Sequence, residues 1–143
     1  MSKSRRKARE VAFKALYLSD IAGKPPAEAC QDALEGLDLE QTSIEYIHRV
    51  AEGVHAHRGE IDDIIAKHSS GFALDRLAVV DRALLRLALY EILFEREIPP
   101  AVSINEAVEL AKKFSTEQSG SFVNGVLGGF VKEANLETHG HKN

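Results

Sequence analysis

The chain has 143 residues, 44% hydrophobic and 28% charged, which is the length of one globular domain able to bury roughly two-thirds of its unfolded surface, so neither a disulfide nor a cofactor is needed to hold it together. A single cysteine, Cys30, excludes an intramolecular disulfide framework and suits a reducing compartment; no apolar run is long enough for a membrane span or a secretion signal, and a cytoplasmic location is expected. The formal charge of −4 conceals an asymmetry, because residues 1–14 hold six of the 18 Lys and Arg and one of the 22 Asp and Glu, a basic arm of +5 on a body of −9.

Helical periodicity runs through nearly the whole sequence, and strand alternation is nowhere sustained. The first helix is predicted over residues 4–21. A second begins after Pro25 and Pro26, with Ala29, Ala33, Leu34 and Leu37 on one side, and a third begins near Thr42 with Ile44, Ile47, Ala51 and Val54 at helical spacing. A fourth carries Ile61, Ile64 and Ile65 and stops at "HSSGF", residues 68–72, the expected internal boundary. Beyond it Asp75 is placed to cap a short helix. Residues 79–95, "VVDRALLRLALYEILFE", are apolar around almost the whole circumference, as in a helix surrounded by others. Pro99 and Pro100 end that segment; Ser103 and Glu106 stand at capping-box spacing in the next, and a last helix spans about Ser119 to Glu133. The expectation is an all-α bundle of about seven helices, with an N-terminal half over about 4–68, a C-terminal half over about 72–134 and a flexible tail over 135–143.

The first helix raises a question of charge. A helix N-terminus carries partial positive charge and unpaired N–H donors, so Lys3, Arg5, Arg6, Lys7, Arg9 and Lys14 are each mildly unfavourable there and ask for an external anion. On a wheel, Ala8, Val11, Ala12, Ala15, Leu16 and Leu18 mark the core side. Arg6, Lys7, Arg9, Glu10 and Lys14 are assigned to the opposite side, with Phe13 and Tyr17 among them. Cations interleaved with aromatic rings suit single-stranded nucleic acid, the cations holding phosphates and the rings stacking on unpaired bases. Burial against a neighbouring helix is the preferred assignment for Phe13, and Tyr17 is balanced between packing and stacking.

In the last helix, "SGSFVNGVLGGF" sets Gly125 and Gly129 on the side of Gln118 and Phe122, which suits close helix packing or a shallow ligand platform. Arg82 and Arg86 are expected to pair with acids inside the bundle, and Glu91 and Glu95 to be helix-face charges. His55 with His57, and His139 with His141, match no metal spacing, so no metal or cofactor is expected. Nothing marks Cys30 as a nucleophile.

Four blocks, "RRKAREVAFKALY", "DRALLRLALYEI", "IPPAVSINEAVELAKKF" and "FVNGVL", in this order and at these separations, resemble the NusB family of transcription antitermination factors over about Arg5 to Val131. The resemblance implies two three-helix subdomains and a non-enzymatic role. It implies binding of the boxA element of nascent RNA together with the ribosomal protein NusE, in a complex with other Nus factors and RNA polymerase that suppresses termination and assists ribosomal RNA synthesis and maturation. Residue by residue, Arg5, Arg6, Lys7, Arg9, Tyr17, Gln118 and Phe122 fall at RNA-contacting positions, with Lys3 at the start of the same arm, and Asp81 falls at an acidic position associated with the NusE contact. Gln118 stands where relatives often carry Asp. Some relatives form a homodimer that covers the RNA surface.

If the first and last helices lie side by side, they form a basic groove with aromatic walls, and RNA phosphates are the missing anions. The competing expectation is a helical adaptor whose basic arm binds an acidic protein without RNA. A resemblance to the front part of ribosomal RNA cytosine methyltransferases is set aside on length, because 143 residues leave no room for a cofactor-binding α/β domain.

Overall fold

Prolines and one threonine set several of the helix starts. The computed structural model describes residues 3–136 and contains, among them, seven α-helices, one short 3-10 turn and no strand. They are α1 (Lys3–Ala22), α2 (Pro26–Leu34), α3 (Gln41–Ala56), α4 (Arg58–His68), α5 (Val79–Phe94), α6 (Pro100–Phe114) and α7 (Glu117–Glu133), with the 3-10 turn at Leu74–Arg76. From residue 137 onward the expected tail, with His139 and His141, lies outside the described residues.

Pro26 and Pro100 each occupy the first position of their helix, where the missing N–H costs nothing and the fixed φ favours the turn. This displaces the expected capping box: α6 starts three residues before Ser103, which is buried inside it and donates to Glu91 Oε1 at 2.7 Å. Asp75 likewise sits within the 3-10 turn rather than capping a helix. The start of α7 is capped by Thr116, whose hydroxyl accepts from the Ser119 N–H at 3.0 Å, so this helix begins two residues earlier than expected.

Two compact units divide the chain, one ending at His57 and the other starting at Arg58. The expected boundary at "HSSGF" is therefore displaced by one helix: α4 packs with α5, α7 and the 3-10 turn, giving three helices in the first unit and four in the second. In the first unit, α1 lies against both α2 and α3, and the small residues Ala8, Ala12, Ala15 and Ala29 let the backbones approach around Tyr46, Ile47 and Val50. Cys30 is buried there with its thiol 3.8 Å from the Ile47 carbonyl, and burial pushes its pKa up to about 11, which makes it a packing residue rather than a nucleophile. Leu37, assigned to the apolar side of α2, is 40% exposed because that helix has already ended at Leu34.

In the second unit α5 is buried from Ala83 to Ile92, as its all-round apolar sequence requires. Asp81, Arg86 and Glu91 are buried with it, and Arg82 is partly so. Arg86 forms a two-point pair with Asp62 of α4, Nε to Oδ1 at 2.9 Å and Nη2 to Oδ2 at 3.1 Å. Arg82 donates to the carbonyls of Leu74 and Leu77 and fastens the 3-10 turn. Glu91 and Glu95 are not helix-face charges; they are buried and accept from Ser103 and from the Tyr90 hydroxyl. Two of the α7 glycines are packing residues. A Cβ on Gly120 would meet Lys112 Cγ at 3.0 Å, and one on Gly129 would meet His68 Nδ1 at 3.2 Å.

Candidate nucleic-acid interface

The cations of α1 do not share one face. Because α1 is packed by both α2 and α3, its buried arc extends past Ala12 and Leu16 to Phe13 and Arg9, and Arg9 is only 1% exposed. Its assignment to the exposed face is corrected accordingly. Arg5, four residues before Arg9, is half-buried, with its guanidinium carbon 4.5 Å from the ring centre of the fully buried Tyr46, a cation–π contact that commits it to α3.

What remains outside is a narrower and more coherent surface. Lys3, Arg6 and Lys7 are exposed, Lys14 and Tyr17 are half-exposed, and Glu10 is the carboxylate among them. Glu10 holds Lys14 at 3.1 Å and Lys7 at 3.9 Å, so it fixes two ammonium groups one turn either side of itself. Four cations against one carboxylate leave the face positive. Tyr17 lies at its C-terminal end, tilted against Phe13 with 6.3 Å between ring centres, so the buried ring steadies the more exposed one.

The second unit carries Gln118 and Phe122 one turn apart on α7, the first exposed and the second half-buried. Gly125 and Gly128 are exposed, and nothing lies within 4 Å of a Cβ built on either, so the bare backbone expected beside Phe122 is present at Gly125. No group of His, Cys, Asp and Glu among the described residues could hold a metal ion, and no described helix is long and apolar enough to cross a membrane.

A family model for NusB matches residues 6–132. The chain belongs to the NusB family. It is 45% identical over 137 residues to the transcription antitermination protein NusB of Symbiobacterium thermophilum, covering 90% of each chain. The solved structure of T. maritima NusB superposes with a TM-score of 0.84 at 39% identity, over 93% of this chain and 94% of that one. A crystal structure of the antitermination factors NusB and NusE in complex with double-stranded RNA gives 0.85 at 35% identity, over 93% and 99%. NusB proteins are transcription antitermination factors, a non-enzymatic kind of protein.

For this NusB-family chain, the acidic position expected to face NusE is largely internal. Asp81, in the first turn of α5, is 8% exposed. Burial raises its pKa, and a hydrogen bond from the Ser119 side chain partly offsets that rise. The Ser119 and Ser115 hydroxyls are themselves 2.9 Å apart, so Asp81 is tied to the start of α7, while its Oδ1 is buried without a hydrogen-bond partner among the described residues. Between the ordinary and the raised pKa the native state keeps a proton that the unfolded chain has lost, so this residue's contribution to stability falls as pH rises through that interval. Asp81→Asn is expected to remove the fall. Urea unfolding of both proteins from about pH 3.5 to 7 should give a stability difference that moves in favour of the variant as pH rises.

The sequence placed His68 only as the first residue of "HSSGF" and gave it no role of its own. It sits edge-on to Phe130 with 6.2 Å between ring centres, under Gly129, and its Nε2 is 3.0 Å from Glu133, which Lys67 also holds at 2.9 Å. The Lys67 hydrogen bond, helped by His68, holds the Glu133 carboxyl below its ordinary pKa. The signal was the pairing of a conspicuous glycine in α7 with an aromatic ring at the end of α4.

Proposed function

We propose that the protein binds the boxA element of nascent ribosomal RNA together with NusE, and that this complex, with the other Nus factors and RNA polymerase, keeps transcription processive and assists ribosomal RNA maturation in the cytoplasm. The observation that carries this reading is the exposed α1 face, where Lys3, Arg6, Lys7 and Lys14 follow one another along the helix and Tyr17 stands at its C-terminal end. An RNA strand supplies the anions that a basic helix start asks for, and the half-exposed ring offers a stacking surface to a base that has left its helix. The NusB–NusE–RNA complex of a relative supports RNA and NusE as partners. That RNA is double-stranded; the choice of a single strand here rests on the rings, which a paired duplex does not engage.

The chain acts as one RNA-binding domain, with contacts from Lys3, Arg6, Lys7 and Tyr17 in the first unit and from Gln118 and Phe122 in the second. Arg5 and Arg9 shape the helix that presents them. Asp81 serves the NusE contact by fixing the start of α7, and a homodimer covering the basic face would compete with RNA. Tyr17→Ala is expected to weaken binding of a boxA-like single strand about tenfold, while Tyr17→Phe keeps the stacking surface and binds nearly as wild type. Equal binding by all three proteins, at unchanged thermal stability, would contradict this function.

A further inference from the structure

The turn that ends α4 places a large ring in water. Ser70 and Gly71 adopt φ of 56° and 85°, two successive left-handed residues, and for the serine this conformation costs about 1 kcal/mol. The turn is braced from inside by Ser69, which is fully buried: its carbonyl accepts from the Phe72 N–H at 3.1 Å, and its hydroxyl lies 2.8 Å from the Phe72 carbonyl and 3.2 Å from that of Ala66. The outcome is Phe72 with 57% of its surface exposed, more than Ile21, Leu37 or Phe94. Full burial of such a ring would gain roughly 2 kcal/mol, so a Phe72 left mostly in water forgoes most of that gain within the fold.

Phe72 touches the proposed RNA surface of its own unit. Its ring stands edge-to-face with Phe122, centres 6.4 Å apart at 85°, and an edge-to-face pair leaves ring faces open on both members. Gln118 lies one turn before Phe122 and the bare backbone of Gly125 almost one turn after it, both exposed. A flat π system can enter beside the two rings, with an amide at one side to hydrogen-bond its edge and no Cβ at the other to obstruct it.

We propose that Phe72 is a base-stacking residue, which together with Phe122 holds one unpaired nucleobase of the bound RNA strand. This assignment rests on the RNA-binding reading and adds to it a specific aromatic residue from a different segment of the chain. A nucleobase fits better than a protein side chain because the surface offers stacking faces and a side-chain amide rather than an enclosed apolar pocket.

The sequence contains no tryptophan, so Phe72→Trp gives this chain a single emitting indole at the site in question. The expected result is quenching of that emission when a boxA-like single strand is added to the full-length protein with NusE, and no quenching by the same strand carrying abasic sugars throughout. Phe72→Ala should bind the strand roughly tenfold more weakly. Among strands with one base removed, the position that weakens the wild type should no longer weaken Phe72→Ala. Urea unfolding midpoints within error of wild type check that the exposed substitutions leave the fold intact. Wild-type RNA binding that Phe72→Ala matches, with tryptophan emission unmoved, would overturn the stacking role and leave the RNA-binding reading standing. Emission that responds fully to NusE alone would overturn it in favour of a protein contact. Failure of the wild-type protein to bind RNA would overturn both.

Discussion

Asp62→Ala is expected to lower the unfolding free energy by about 3 kcal/mol, measured by urea denaturation at neutral pH. The variant removes the carboxylate that meets Arg86 in two hydrogen bonds, and the Arg86 side chain is only 6% exposed. The substitution removes a two-point charged contact from a guanidinium that is largely buried, which is why the expected loss exceeds that of a surface ion pair. The neighbouring Arg58–Asp62 contact at 3.3 Å is on the outside and contributes little. The double substitution Asp62→Leu with Arg86→Met fills similar volume with no buried charge and should recover most of the loss. Equal destabilisation in the single and double variants would show that shape, rather than charge pairing, holds α4 to α5.

The second large effect concerns the basic face. Arg6→Ala combined with Lys7→Ala removes two exposed cations, and every phosphate that is no longer neutralised should reduce the slope of log affinity against log salt by about 0.7 for a single strand. The expected change in slope is therefore about 1.4, with affinity lower by more than about tenfold at 0.1 M salt. Arg9→Met provides the contrast. Because Arg9 is buried, this substitution should alter stability and leave the salt slope where it was. A slope that follows Arg9 instead of Arg6 and Lys7 would show that the helix does not meet RNA with the face described.

The helices themselves were legible from periodicity, and α5 was recognisable as the central helix of its unit from its apolar circumference. Arg9 was misplaced because a wheel marks the core by apolar side chains alone; an arginine carried into the buried arc by two packing partners looks like any exposed cation. The division between units was invisible for a related reason. α3 and α4 abut at His57 and Arg58, where the polar run "HAHRGE", residues 55–60, continues the helical pattern with no proline to break it, whereas "HSSGF" looks like a boundary and is a braced turn inside the second unit. The capping-box pattern at Ser103 and Glu106 gave way to the proline at the first position of α6, and Ser103 went to a buried carboxylate instead. At the candidate interface, the i, i+4 spacing of Gln118 and Phe122 was readable. The proximity of Phe72 to Phe122 was not, since it depends on the path of a left-handed turn about fifty residues earlier in the chain. Asp81 could be placed in a first helical turn from sequence, but its burial against Ser119 depends on the packing of α5 and α7.

The measurement that bears most directly on the whole account is a competition between a boxA-like single-stranded RNA and a scrambled strand of the same composition, with and without NusE. Preference for the boxA-like strand, strengthened when NusE is present and weakened by Tyr17→Ala and Phe122→Ala, is the predicted result. Equal and weak binding of both strands with NusE present would contradict it, and the basic face of α1 would then belong to an acidic protein partner.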